Sequence, residues 1–218
     1  MQKLYTRLLT LLTFLAVEVG VLLLVFLTTL TAFYYLTRVV FEQRSMLLDQ
    51  AAFDYVDQLR AAAPALTPWV VGVTFFASAP FLVAAGVIVP LGLAWRKRRR
   101  EALEVFLAVA GSALLNQLFK THFHRLRPDT ALFPQVGLSF PSGHAMIGTA
   151  LYGCVAWLLW RHGRHPLLGL GLVLWAVLIG LTRIYLHVHY ATDVLAGFAA
   201  GLGWLVLLRS GLQLWWRR

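Results

Sequence analysis

Three short clusters in the second half of this 218-residue chain carry groups that can do chemistry. The last is Thr182, Arg183, His187, His189 and Asp193. His189 and Asp193 are four residues apart, and on a helix that spacing puts them on one face, one turn apart. Asp193 can then accept a hydrogen bond from one ring nitrogen of His189 and leave the other as a base or nucleophile. The middle cluster is Pro141-Ser142-Gly143-His144. Ser142 and Gly143 suit a helix start, where free backbone N–H groups and the helix dipole favour an anion, and His144 would sit in the first turn. The first cluster sets Lys120, Arg125 and Arg127, with His122 and His124, against Asp129 alone. Lysine and arginine forks hold the non-bridging oxygens of a phosphate and stabilise the charge that spreads over them during transfer. Taken together, Lys120, Arg127, Arg183, His144, His189, Asp193 and a helix N-terminus describe a site for a phosphate under attack.

The elements that must position these groups follow from composition. The chain is 60% hydrophobic and 13% charged, whereas soluble domains average about 45–50% apolar and about 25% charged. That balance excludes a soluble monomer and a disordered chain. A single cysteine, Cys154, excludes a disulfide scaffold. The expected class is all-α: a polytopic membrane protein forming one domain over residues 1–218. Six apolar runs reach the roughly 20 residues that a crossing helix needs: about 8–36, 69–95, 102–119, 143–160, 166–186 and 191–208. The first is too long for a signal-peptide core and reads as a signal anchor, interrupted only by Glu18. The second contains Pro80 and Pro90.

The net charge of +10 gives the orientation. Twelve of the 19 basic residues fall on one side of the six runs: Lys3, Arg7, Arg96–Arg100, Arg161, Arg164, Arg209, Arg217 and Arg218. The positive-inside rule makes that side cytoplasmic, with both termini on it. Arg96–Arg100 is then a topology anchor beside anionic headgroups rather than a nucleic-acid patch. Residues 37–67 form the one sizeable outer piece. Leu48, Ala52, Tyr55 and Leu59 fall near one helical face, with Asp49, Asp54 and Asp57 mostly elsewhere, which predicts an amphipathic helix on the outer membrane surface, ended by Pro64 and Pro68. The three chemical clusters all fall at outer ends of the third to sixth spans. Residues 120–141 break the charge rule there, and a bound anion at the outer face would offset them.

Blander readings apply to the other polar residues. His122, His124 and Arg125 read as loop residues near headgroups. His187 reads as packing around the site, and His162 and His165 as a cytoplasmic turn. Asn116 and Gln117 read as glue between helices, and Gly197 and Gly201 as a small-residue face for close packing. Trp69, Trp95, Trp160, Trp215 and Trp216 fit an aromatic belt.

The spacings also resemble a known family. Lys120, six residues, then Arg127-Pro128 resembles the first signature of the phosphatidic acid phosphatase type 2 superfamily. Pro141-Ser142-Gly143-His144 resembles the second, and Arg183, five residues, His189, three residues, Asp193 the third. The likeness covers about residues 103–208, and 54–100 is similar to the family's lead-in. Thr182 stands where the family often has serine. The resemblance implies a metal-free and cofactor-free phosphohistidine mechanism. His189 would attack phosphorus, Asp193 would orient its ring, and His144 would protonate the leaving oxygen and then activate water. Lys120, Arg127 and Arg183 would hold the phosphate, helped by Ser142 and the Gly143 backbone. It further implies a bacterial cytoplasmic-membrane enzyme with its site facing outward. The substrate would be a membrane lipid phosphate of the undecaprenyl pyrophosphate, phosphatidylglycerophosphate or phosphatidic acid class, and no nucleic acid would bind. Lipid A dephosphorylation, or transfer of the phosphate to another lipid, would use the same site. A metal hydrolase built on the two His-x-His pairs is disfavoured, because no His-Glu-x-x-His helix is present and cations surround one pair. A non-enzymatic transporter is the remaining class.

Overall fold

Helices account for every regular element among the residues that the computed structural model describes, 2–163 and 165–216, the side chains of 2–16 and of Glu18 excepted. The side chains of Lys3, Arg7, Glu18, Arg164, Arg217 and Arg218 thus lie outside the described residues. The helices are α1 (Gln2–Thr37), α2 (Leu47–Ala62), α3 (Leu66–Phe75), α4 (Ala79–Trp95), α5 (Arg99–Phe123), α6 (Gly143–Arg161), α7 (Pro166–Tyr185) and α8 (Ala191–Trp216). Five of them, α1 and α5–α8, are long and apolar enough to cross a membrane. Together α3 and α4, bent by 42° at their junction, are apolar enough to make a sixth if the bent pair counts as one span. The expected second span is therefore a broken one. The break has a local cause: Pro80 has no N–H to give the Phe76 carbonyl, and proline is best accommodated in the first helical turn, so α4 restarts just before it. The Phe76 carbonyl freed by the break accepts a hydrogen bond from Tyr152 Oη at 2.6 Å. Pro90 is buried inside α4 and does not end it. At its far end α1 continues into a π-helical turn, Arg38–Glu42, closed by an ion pair of 2.6 Å between its first and last residues.

Close packing of α8 on α6 fixes the centre of the bundle. A Cβ at Gly201 would lie 2.5 Å from the Met146 carbonyl oxygen, and one at Gly197 would lie 2.8 Å from that of Ser142. Only glycine lets these backbones approach so closely, as the small-residue spacing predicts. Val105, Ala108, Leu151, Tyr152 and Ile179 join α5, α6 and α7 in the largest apolar core. Trp69 and Trp95, at the two ends of the broken span, are 76% and 85% exposed, in keeping with an aromatic belt. At the end of the bundle near Arg96–Arg100, Glu101 pairs with Arg98 at 2.6 Å and with His162 at 2.9 Å, and Glu104 pairs with Arg161 at 3.0 Å.

The amphipathic segment forms α2, but its faces are used differently from the sequence expectation. Leu48, Tyr55 and Leu59 are exposed, while Phe53 and Val56 pack against the ends of α7 and α8. Asp49, on the inward side, is completely buried. Arg60 donates to the Tyr185 carbonyl at 3.1 Å, so α2 is seated on the bundle rather than merely lying on a surface; Thr67, at the start of α3, shares a hydroxyl hydrogen bond of 2.9 Å with the same tyrosine.

Candidate active site

The three chemical clusters meet at the end of the bundle opposite Arg96–Arg100. His189 does not lie on a helix, as the four-residue spacing suggested; it sits in the turn between α7 and α8. Asp193 is in the first turn of α8. The pair still meets, with Nδ1 of His189 3.5 Å from Oδ2 of Asp193. The turn is tight because His187 adopts a left-handed conformation (φ 54°) and the backbone N–H groups of Val188 and His189 both reach the Arg183 carbonyl. His187 itself stacks on Phe53 with ring centroids 4.1 Å apart. Its Nδ1 lies 2.9 Å from Thr130 Oγ1 and its Nε2 lies 3.1 Å from Asp57 Oδ1. It is therefore a packing residue that ties the turn to α2 and to the 124–142 loop, as read from sequence.

Ser139 completes the pair and was not anticipated. It is fully buried, donates to Asp193 Oδ2 at 2.5 Å, and its Oγ lies 3.2 Å from His189 Nδ1. The arrangement suits a His189 tautomer whose Nδ1–H donates to Ser139 Oγ while the Ser139 hydroxyl donates to the carboxylate. Asp193 Oδ2 also accepts the Tyr190 backbone N–H at 3.0 Å. On the other side of the ring, Arg127 lies with one terminal nitrogen 3.1 Å from Nε2 of His189. A guanidinium can only donate, so Nε2 presents a lone pair. Burial pushes the His189 imidazole down to about 4, an effect that Asp193 opposes and the Arg127 and Arg183 charges reinforce. The ring is neutral at physiological pH, the state a nucleophile requires.

The cations surround this nitrogen. Arg127 is held by the carbonyls of Val188 and Gly137 at 2.7 and 3.1 Å, and burial lowers its pKa. Lys120, in the last turn of α5, donates to the Leu138 carbonyl at 2.6 Å. Arg183, in the last turn of α7, is 4% exposed. It donates to Thr74 Oγ1 at 2.7 Å and keeps its buried Nε without a partner. Among the described residues, Lys120, Arg127 and Arg183 form no ion pair with a carboxylate. Three gathered cations without a counter-ion form an anion site. His144, in the first turn of α6, lies close enough to Arg183, His189, Arg127 and Lys120 to interact electrostatically with all four.

Ser142 caps α6, its Oγ accepting the Ala145 N–H at 3.5 Å. Its own backbone N–H is already given to the Asp193 carbonyl at 3.0 Å, which leaves the Gly143 end of the helix for an anion. Asn116, read as helix glue, holds the Pro141 carbonyl at 3.1 Å, and a Cβ at Gly143 would lie 3.1 Å from Asn116 Oδ1. This contact seats the Pro-Ser-Gly-His turn against α5.

Arg125 departs most from the sequence reading. It is no loop residue near headgroups: its side chain is 9% exposed and bridges two buried carboxylates, Asp193 Oδ1 at 2.6 Å and Asp49 Oδ2 at 2.8 Å. His122 and His124 are exposed, as expected. Among the described residues, no three of His, Cys, Asp and Glu come together as a metal-binding group.

The chain as a whole matches known proteins. Residues 101–217 match the PAP2 superfamily. Phosphatidylglycerophosphatase B of Bacillus subtilis is 34% identical over 155 residues, covering 66% of this chain and 75% of that protein. An undecaprenyl-diphosphatase of Sulfolobus acidocaldarius is 29% identical over 133 residues, covering 58% of this chain and 62% of that one. The crystal structure of a transmembrane PAP2-type phosphatidylglycerolphosphate phosphatase from Bacillus subtilis superposes with a TM-score of 0.77 at 30% identity, covering 85% of this chain and 94% of that one. With the family match over more than half of its length and five to six apolar candidate spans, the chain belongs to the PAP2 superfamily as a multi-pass membrane lipid phosphatase, a phosphoric ester hydrolase.

Proposed function

We propose that this protein hydrolyses a phosphomonoester or pyrophosphate of a membrane lipid at the periplasmic or outer face of a bacterial cytoplasmic membrane, through a phosphohistidine intermediate. The observation that carries this reading is the environment of His189 Nε2: a neutral ring backed by Ser139 and Asp193 and fronted by Arg127 at 3.1 Å. In the first step Nε2 forms a bond to phosphorus while the bond to the leaving oxygen breaks. His144 gives that oxygen a proton. Asp193, through Ser139 and directly, stabilises the positive charge on the His189 ring. Lys120, Arg127, Arg183 and the Gly143 end of α6 stabilise the charge on the three equatorial oxygens. In the second step neutral His144 takes a proton from water, which attacks phosphorus and releases His189 and inorganic phosphate.

The substrate class is a lipid whose chain stays in the bilayer, because the site lies at one end of a bundle of helices long and apolar enough to cross a membrane. Phosphatidylglycerophosphate comes first, from the likeness to the Bacillus subtilis phosphatase in both sequence and crystal structure, and undecaprenyl pyrophosphate second, from the Sulfolobus relative. The outward face rests on the charge bias of the loops, since the site lies opposite Arg96–Arg100. Phosphate release by the purified protein from a panel of these lipids in mixed micelles tests the reading. His189→Ala is expected to abolish release while still inserting in the membrane. Brief reaction with radiolabelled substrate is expected to leave an acid-labile label on the parent protein. Normal turnover by His189→Ala would sink the assignment.

A further inference from the structure

Arg125 makes hydrogen bonds or ion pairs to Asp49, Thr192 and Asp193 although it is none of the motif residues. One nitrogen of its guanidinium serves Asp193 at 2.6 Å and Thr192 Oγ1 at 2.7 Å. The other serves Asp49 at 2.8 Å. Its planar face covers the Tyr190 ring at 4.0 Å. Asp49 reaches across from α2 and is fully buried. Its Oδ1 accepts the Thr192 backbone N–H at 2.8 Å, and its Oδ2 accepts the Thr192 hydroxyl at 2.9 Å. A carboxylate of one helix thus caps the start of another, two positions from the nucleophile's partner. Burying one aspartate against a single arginine would be enough for packing. Here two carboxylates share one guanidinium, and one of them backs His189.

We propose that Asp49 and Arg125 are positioning residues for the reaction: the Asp49–Arg125–Asp193 bridge sets how much of the Asp193 charge is available to His189, and so couples the outer helix α2 to the nucleophile. Arg125 draws charge from Asp193, and Asp49 limits that draw by occupying the other half of the fork. This inference rests on His189 being the nucleophile. The other charged or titratable groups facing the His189–Asp193 pair are Lys120 from α5, Arg127 from the loop, His144 from α6, Arg183 from the end of α7, and Tyr190. None of these is altered in the variants below.

The test is a titration of the His189 ring by NMR of the full chain, labelled at histidine ring nitrogens, in detergent micelles between about pH 3 and pH 9. The His189 signal is the one that disappears in His189→Ala. Arg125→Gln removes the cation beside Asp193, and the His189 midpoint is expected to move up by about half a pH unit or more. Asp49→Asn leaves Arg125 wholly on Asp193, and the midpoint is expected to move down or fall below the range. The double variant is expected to return toward the parent. Alongside, Asp49→Asn is expected to lower kcat for phosphate release with KM nearly unchanged. Asp49→Asn keeps its shape and its hydrogen bond to the Thr192 N–H, and it carries the test alone if Arg125→Gln does not insert. Shifts of the same sign in both single variants, or an unmoved midpoint in Asp49→Asn, would overturn the proposal. The ring titration does not depend on turnover, so it stands or falls separately from the phosphatase reading.

Discussion

The Arg127 guanidinium donates to Nε2 of His189, the nitrogen expected to attack, at 3.1 Å. The same group that orients the ring therefore covers its lone pair until a phosphate arrives to take over the donor. The Arg127 Nε donates to the Gly137 carbonyl, and the terminal nitrogen that meets the ring also donates to the Val188 carbonyl, so one N–H can pass from ring to phosphate oxygen while these two bonds hold the guanidinium. A lysine cannot keep all of these bonds. Arg127→Lys is expected to lower kcat/KM for lipid phosphate by about 100-fold or more, with little change in melting temperature. Recovery of near-parental kcat/KM by the lysine variant would argue against the fork.

Ser139 is expected to matter through His189 rather than through substrate. Ser139→Ala leaves His189 Nδ1 with only the 3.5 Å approach of Asp193, and strips one hydrogen bond from a buried carboxylate. Orphaned buried groups of this kind cost about 1–3 kcal/mol. The expected result is a kcat reduced by about 10- to 100-fold with KM unchanged, measured on the same micellar substrate. A KM effect with intact kcat would place Ser139 in substrate binding instead.

The stability of the protein is expected to fall as pH drops from about 6.5 toward about 4. The pKa of His189 is held down at about 4 by burial, and that of His187 is lowered by burial as well. In the unfolded chain both rings take up protons near pH 6.5. Between the two values the unfolded state binds more protons, so folding stability rises with pH through this window and is complete above it. Thermal unfolding in detergent at several pH values checks this, and His189→Ala is expected to flatten the slope.

At the broken span, Tyr152→Phe removes the donor to the freed Phe76 carbonyl. The expected cost is about 1 kcal/mol of stability, read as a lowered melting temperature, with kcat unchanged because Tyr152 lies outside the cation cluster. A large activity loss without destabilisation would show that the bend itself positions Arg183, whose partner Thr74 sits just before the break.

Much of this molecule is determined by sequence alone, because its strongest signals are one-dimensional. Apolar run length has to match membrane thickness, so the spans could be read directly. The four-residue spacing of glycines at 197 and 201 marks a small-residue face for close helix packing before the partner is known. Motif spacing at span ends is also local, and Lys120, Arg127, Ser142, Gly143, His144, Arg183, His189 and Asp193 all come to one end of the bundle. The bend at Phe76–Ser78 was half legible in Pro80, but whether a proline kinks a helix or restarts it depends on what takes the freed carbonyl.

Tertiary structure decided what neutralises what. Asp49 lies 144 positions before Asp193, and nothing local marks it as the aspartate of α2 that faces inward. The apolar residues of α2 pointed to a neighbouring face that shares Ala52 with the one that packs, because a carboxylate buried in an ion pair leaves no apolar mark on the helix. Arg125, two residues before Arg127, carries the same charge and sits in the same loop. One cation is saturated by two carboxylates and the other is left facing the nucleophile. That division arises only where α2, the 124–142 loop and the start of α8 meet, because charge pairing acts through space over a few ångströms and leaves no period in the chain.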